Sequence, residues 1–142
     1  LDLEEVKKSG MSMPDFVCLA ICQGLSVDVR YAETEQGSIE EFRAAVRKAC
    51  VDENVFDSSS QQGSMADDND QVRDILIVSY DRGTLGQTGS GHFSPVAAFD
   101  AQSDSVLILD TARFKYGAHW VPLPLLYSAF LPHDSTTKKS RG

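Results

Sequence analysis

Apolar and polar positions follow different rhythms in successive parts of this chain, and each rhythm predicts an element. In "GSIEEFRAAVRKAC", Ile39, Phe42, Val46 and Ala49 recur at helical spacing, which makes this the clearest helix. Ser38 and Glu41 form an S-x-x-E capping box at its start, and Arg47 and Lys48 put positive charge near its C-terminal end. "LEEVKKSG" reads as the last turns of a helix closed at Gly10. "MPDFVCLAICQGL" reads as a short buried helix, with Pro14 in its first turn and Gly24 past its end. "SVDVRYA" alternates as a half-buried strand does, and "DILIVSYD" reads as a buried strand. "HFSPVAAFD" and "SVLILDTA" are two more strands around a turn at "AQSD". "VPLPLLYSAF" is a short amphipathic helix with Pro122 or Pro124 near its start. There is no internal repeat. Helix, helix, strand, helix, three strands and a helix predict an α+β fold with a mostly antiparallel sheet.

Composition changes the picture in one place. From about Asp52 to Gln71, "DENVFDSSSQQGSMADDNDQ" is rich in Ser, Asp, Gln and Gly. It holds too little apolar surface to offset its ordering entropy, so it reads as a polar, acidic insertion within one domain. Much of the net charge of −8 lies there, and that sign disfavours a sequence-independent grip on nucleic acid. The 142 residues suffice for one domain with a real core. No apolar run has the length of a membrane span, and "LDLEEVKKSG" is not built like a signal peptide. Three cysteines, an odd number, argue against a disulfide framework and for a reducing compartment, with a cytoplasmic location expected. The chain starts with Leu and stops at "KKSRG", so it is expected to be part of a larger protein.

The residues that could carry chemistry sit on the predicted hairpin. A short turn between Asp100 and Ser105 sets His92 opposite a residue between Asp110 and Arg113. If the register is even, His92 and Asp110 share a face, and the aspartate can fix the imidazole tautomer and stabilise its protonated form. Gly89 and Gly91 would let a backbone or a ligand approach closely. The plainer alternative is a structural histidine and a turn-forming aspartate. Cys18 and Cys22, four apart on a predicted helix, are either two small buried apolar residues or the start of a metal site. His119 and His133 have no ligand-like spacing to them, and His119 beside Trp120 is expected to pack.

The stretch "QTGSGHFSPVAAFDAQSDSVLILDTARFKYGAHWVPLPLLYSAF" resembles phytochelatin synthases, through G-x-G-H-F-S-P, then L-I-L-D-x-A-R-F-K-Y, then H-W-V-P-L, in that order. "LEEVKKSG", "VCLAIC" and "SIEEFRAAVRKAC" carry the resemblance upstream, so it covers nearly everything but the acidic insertion. It implies a papain-like cysteine peptidase fold, of which residues 1–142 would be the C-terminal portion: the antiparallel sheet half and its helices. It also implies a Cys–His–Asp triad used for acyl transfer between glutathione molecules, making phytochelatins for heavy-metal detoxification. His92 then matches the general base and Asp110 the orienting aspartate. The nucleophilic cysteine matches none of Cys18, Cys22 or Cys50 and is expected in a missing N-terminal segment of the same domain, so this chain alone would be inactive. Asp134 and Arg141 match an Asp/Arg pair near the acyl site, where Arg141 could hold a substrate carboxylate. Gly91 would line that site, and Arg113 would face it or support Asp110 through a salt bridge. Cys18 and Cys22 match family cysteines for which metal sensing is plausible. Heavy-metal ions such as cadmium, zinc and copper are expected as activators or as glutathione thiolate complexes, with no organic cofactor. Two other readings stay open on the residues alone: a non-catalytic thiol or metal-binding module, and a papain-like amide hydrolase with water as acceptor. A domain without its N-terminal lobe should expose apolar surface on the hairpin and helix that the lobe would cover.

Overall fold

The computed structural model describes residues 3–50 and 74–142, so the acidic insertion expected at 52–71 lies outside the described residues. Four antiparallel strands form a meander: β1 (Ile77–Asp81), β2 (Gly91–Asp100), β3 (Ser105–Ile108) and β4 (His119–Pro122), in that spatial order. The helices are α1 (Leu3–Ser9), α2 (Met13–Cys22), α3 (Ile39–Cys50) and α4 (Leu123–Ser128). The α+β class and the antiparallel sheet are as the apolar pattern predicts.

One face of the sheet makes the core. Val78 and Tyr80 of β1, Val96 of β2, Val106 and Ile108 of β3 and Val121 of β4 are buried there with Val46 of α3 and Leu123 and Leu126 of α4. Phe42 meets Phe130 edge-on at 4.9 Å, which locks α3 to the end of α4. The Ile39–Phe42–Val46 stripe is therefore the face that packs, as its spacing predicts. The other face of the sheet and parts of α2 leave apolar side chains in solvent, including Ile77, Leu109, Trp120, Leu19 and Ile21.

Three expectations need correction. The helix at Met13–Cys22 forms, with Gly24 beyond it at a φ of 83°, but none of its residues is buried. Phe16 stacks on Phe93 at 5.0 Å, so α2 lies on the sheet face away from the core. The start of this helix also holds the full reciprocal box. Ser12 Oγ accepts from the Asp15 N–H, and Asp15 accepts from the Ser12 N–H at 3.1 Å. At α3 only one limb of the expected box is recorded: the Glu41 N–H donates to Ser38 Oγ at 3.2 Å, while the Glu41 carboxylate pairs with Arg30 at 3.3 Å.

"SVDVRYA" is not a strand. Its alternation matches side-chain exposure as far as Tyr31, with Val27, Val29 and Tyr31 half-buried and Ser26, Asp28 and Arg30 exposed, but it has no place in the sheet. The outer edge of β1 is already taken: Ser79 N–H donates to the Gly142 carbonyl and Asp81 N–H to the Ala129 carbonyl, both at 2.8 Å. The extended segment pairs instead with the chain end, where Ala32 N–H donates to the Arg141 carbonyl at 2.8 Å. Conversely, the H-W-V-P stretch supplies β4, a strand that the apolar pattern did not mark out.

Candidate active site

The hairpin of β2 and β3 decides whether His92 and Asp110 can meet. Next to the turn, Asp100 pairs with Ser105 and Phe99 with Val106. Continued unchanged, that register would set Pro95 opposite Asp110 and turn the carboxylate to the face away from His92. Between Val96 and Ala98 the register slips by one residue, a β-bulge at Ala97, so that Val96 faces Ile108. The shifted register carries on through the Leu109 N–H, which donates to the Pro95 carbonyl at 3.0 Å. Asp110 then falls on the same face as His92, because the bulge takes Ala97 out of the ladder.

His92 Nε2 lies 3.0 Å from Asp110 Oδ1 and 3.0 Å from Thr111 Oγ1. The Thr111 hydroxyl spends its proton on the Phe93 carbonyl at 2.9 Å, so towards His92 it can only accept. Both neighbours of Nε2 are therefore acceptors, the proton sits on Nε2, and Nδ1 keeps its lone pair. Nδ1 has no recorded partner among the described residues. The ring is 21 % exposed and stands edge-on to Tyr80 at 5.9 Å.

Asp110 is fully buried at its side chain, and its strongest partner is a residue that sequence reasoning missed. Arg82 donates Nη1 to Oδ2 at 2.9 Å and Nη2 to Oδ1 at 2.8 Å, with both side chains out of solvent. The Ala112 N–H adds a bond to Oδ1 at 2.8 Å. Burial by itself pushes the Asp110 carboxyl up. The Arg82 hydrogen bonds, the Ala112 N–H and the Arg82 charge overcome that and hold it down at about 2. His92 is pushed below its ordinary value, first by burial and then by the Arg82 charge, against the pull of Asp110. At neutral pH the site thus holds an ionised aspartate and a neutral imidazole.

Arg82 reaches this place through a tight loop. It follows β1 directly, and Asp81 caps the short 3-10 turn Gly83–Leu85 by accepting from Thr84 N–H and Oγ1 at 2.9 Å. Gln87 N–H returns to the Arg82 carbonyl at 3.0 Å. Gly89 has a φ of 114°, which L side chains rarely adopt, and a Cβ there would stand 3.3 Å from Arg82 Cδ, close enough that Arg82 would have to shift slightly. The Tyr116 ring lies 4.8 Å from the guanidinium, and its hydroxyl accepts from the Thr88 N–H at 2.8 Å. The only signal in the sequence is an arginine closing a buried apolar run. A buried carboxylate demands a cation, but nothing in the spacing chooses Arg82 over Arg113.

Arg113, expected to face the site or to bridge to Asp110, is exposed, with no bond or ion pair recorded among the described residues. Gly91, Asp134 and Arg141 do come together, with Gly91 next to His92 in the chain. A Cβ on Gly91 would meet Arg141 Nε and Nη2 at 3.3 Å, so the guanidinium lies against the glycine. Arg141 is buried. It donates to the Pro132 carbonyl and stands 3.7 Å from Asp134 Oδ2. Cys18 and Cys22 are both exposed on α2, contrary to the small buried pair expected from their type. Among the described residues, no three His, Cys, Asp or Glu side chains cluster as a metal site would need. Cys50 is half-buried at the end of α3, where burial raises its thiol. His133 lies 3.4 Å from Glu33, away from this chemistry.

The family model for phytochelatin synthase matches residues 1–142. The chain belongs to the phytochelatin synthase family. It is similar to "Glutathione gamma-glutamylcysteinyltransferase 1" of Arabidopsis thaliana, 41% identical over 140 residues, covering 99% of this chain and 24% of that protein. It is similar also to "Glutathione gamma-glutamylcysteinyltransferase" of Schizosaccharomyces pombe, 36% identical over 140 residues, covering 99% of this chain and 29% of that protein. "Glutathione gamma-glutamylcysteinyltransferase 1" of Triticum aestivum is 40% identical over 140 residues. The chain spans about a quarter of the length of these curated relatives. Among its described residues, no helix is long and apolar enough to cross a membrane.

Proposed function

We propose that this chain supplies the base and the orienting carboxylate of a glutathione γ-glutamylcysteinyltransferase, within a papain-like fold. The observation that carries the proposal is the oriented imidazole: Nε2–H is held by Asp110, a carboxylate that Arg82 keeps ionised, and the Nδ1 lone pair is left for chemistry. A thiol approaching Nδ1 would give up its proton there and attack the Cys–Gly amide of glutathione. His92 would return the proton to the departing glycine amine, and Asp110 would stabilise the imidazolium between the two events. The amine of a second glutathione would then attack the γ-glutamylcysteinyl thioester, lose its proton to Nδ1 and regenerate the thiol as the lengthened peptide leaves.

None of the three cysteines fits the nucleophile. Cys18 and Cys22 ride on α2, whose Phe16 stacks on the sheet face away from His92, and burial pushes the Cys50 thiol the wrong way for a thiolate. The nucleophile is assigned to residues outside this chain, and the chain by itself should release no glycine. Arg141 suits a substrate carboxylate, because Asp134 at 3.7 Å is a loose partner that a bidentate ligand could replace. Cadmium, zinc and copper(I) would enter as glutathione thiolate complexes, the soft ligands such ions prefer. Cytoplasm, where glutathione thiols stay reduced, is the compartment this chemistry suits.

The test uses the full-length protein with glutathione and cadmium, following glycine release and (γ-Glu-Cys)n-Gly by mass spectrometry. Transfer that falls by at least about a hundredfold in His92→Ala supports the reading. Accumulation of γ-Glu-Cys without longer peptides would mean hydrolysis and would overturn it, as would unchanged transfer in the variant.

A further inference from the structure

His119 has a role that its expected place in packing does not explain. It opens β4, and its ring joins a line of hydrogen bonds that runs to the base. His119 Nδ1 lies 2.8 Å from the Gly117 carbonyl, and His119 Nε2 lies 3.2 Å from Gln87 Nε2. Gln87 Oε1 accepts from Arg82 Nη1 at 2.6 Å, and the same Nη1 donates to Asp110 Oδ2. Asp110 in turn holds His92.

The polarity of this line is fixed from both ends. The Gly117 carbonyl can only accept, so the His119 proton sits on Nδ1 and Nε2 is a lone pair. Arg82 can only donate, so Gln87 must offer it the amide oxygen. That leaves the Gln87 NH2 group pointing at the His119 lone pair, where it is satisfied. A flipped Gln87 would press NH2 against the guanidinium and oxygen against Nε2, two mismatches at once. The lone pair of His119 therefore selects the one amide orientation that seats Arg82.

We propose that His119 is a positioning residue of the site: as a neutral imidazole protonated on Nδ1, it orients the Gln87 amide and through it the seat of Arg82 on Asp110. The inference rests on the reading of His92 as the base, but its geometry can be tested without turnover. Nη1 is shared between Gln87 and Asp110, so a freed Gln87 lets the guanidinium turn, and Asp110 loses the geometry that holds Nε2–H. His119 touches no reacting atom in this scheme and acts only through Gln87.

The test is 15N spectroscopy of histidine-labelled full-length protein, with the His92 and His119 signals assigned by substitution. Wild type should show neutral His119 with its proton on Nδ1; a proton on Nε2 would overturn the proposal. The charged groups beside His92 are Arg82, Asp110 and Lys115, and Arg82 is one of those that lower it. Loosening Arg82 in His119→Leu should therefore raise the pH midpoint of His92, by about 0.5. Gln87→Leu should do the same, and the double variant should go no further, because the two residues act in series. Additive shifts would mean that His119 acts through packing and would overturn it. His119→Gln can present an amide oxygen to Gln87 and should restore the wild-type midpoint; if His119→Leu does not fold, His119→Gln and Gln87→Leu carry the comparison. In the glutathione assay, His119→Leu should lower kcat roughly tenfold with KM nearly unchanged. Absence of transfer by wild type would sink the proposed function and leave the spectroscopic test of His119 in force.

Discussion

Arg82→Met is the substitution that most directly tests how this site is held. Methionine keeps most of the volume and removes the charge. Asp110 then loses bonds of 2.9 and 2.8 Å from a guanidinium that is 5 % exposed, while its own side chain is fully buried. Breaking one side of such a pair leaves an uncompensated buried charge, at a cost of about 3–5 kcal/mol. The acid behaviour gives a second estimate. A carboxyl depressed from 3.8 to about 2 contributes about 2 kcal/mol. Because the folded value is the lower one, that stability is fully present above pH 3.8 and is lost as pH falls toward 2. Arg82→Met should cut this contribution and move the acid loss of stability to higher pH. Removing both charges in Arg82→Met/Asp110→Asn should cost only about 1–2 kcal/mol, since no charge is left unpaired. Amide hydrogen exchange of the full-length protein, read on peptides from β2 and β3, measures this locally. At 1.4 kcal/mol per factor of ten, the single variant should exchange about a hundredfold faster there, and the double variant should recover most of the loss. A single variant within threefold of wild type, or a double variant no better than the single, would refute the idea that Asp110 depends on Arg82.

Other expectations follow from the same geometry. The acid limb of glycine release should be set by His92, whose midpoint lies below its ordinary 6.5, so activity should persist below pH 6.5 and fall as the imidazole protonates; a midpoint above 6.5 in a pH–rate profile would contradict the weight given to burial and Arg82. Deleting Ala97 should remove the bulge and still leave Val96 opposite Ile108, so His92 and Asp110 should stay on one face and stay coupled in titration; their uncoupling in the deletion variant would refute the bulge argument. Cys18→Ser/Cys22→Ser should change stability by less than about 0.5 kcal/mol in urea unfolding, because both thiols are solvent-exposed.

The difference between what was legible and what was not lies in the range of the interactions. Local periodicity and end chemistry are short-range, so the chain alone determined α1, α2, α3 and α4, the strands β1, β2 and β3 and the turn at Ala101–Asp104. It also determined that His92 and Asp110 were worth pairing, because a hairpin turn relates them through sequence. Alternation along "SVDVRYA" predicted exposure and not pairing, since exposure is a property of one segment and pairing is a competition for an edge. Residues 129 and 142 won that competition at β1. Which face Asp110 takes was a tertiary decision: the bulge that takes Ala97 out of the ladder sets it, and no turn signal marks that position. The cation on Asp110 was a tertiary decision too. Arg113 is three residues away along the chain and stays in solvent, while Arg82, 28 residues away, is brought in by β1 and the glycine-bearing loop. A buried carboxylate requires a partner, and the fold alone chooses which one arrives.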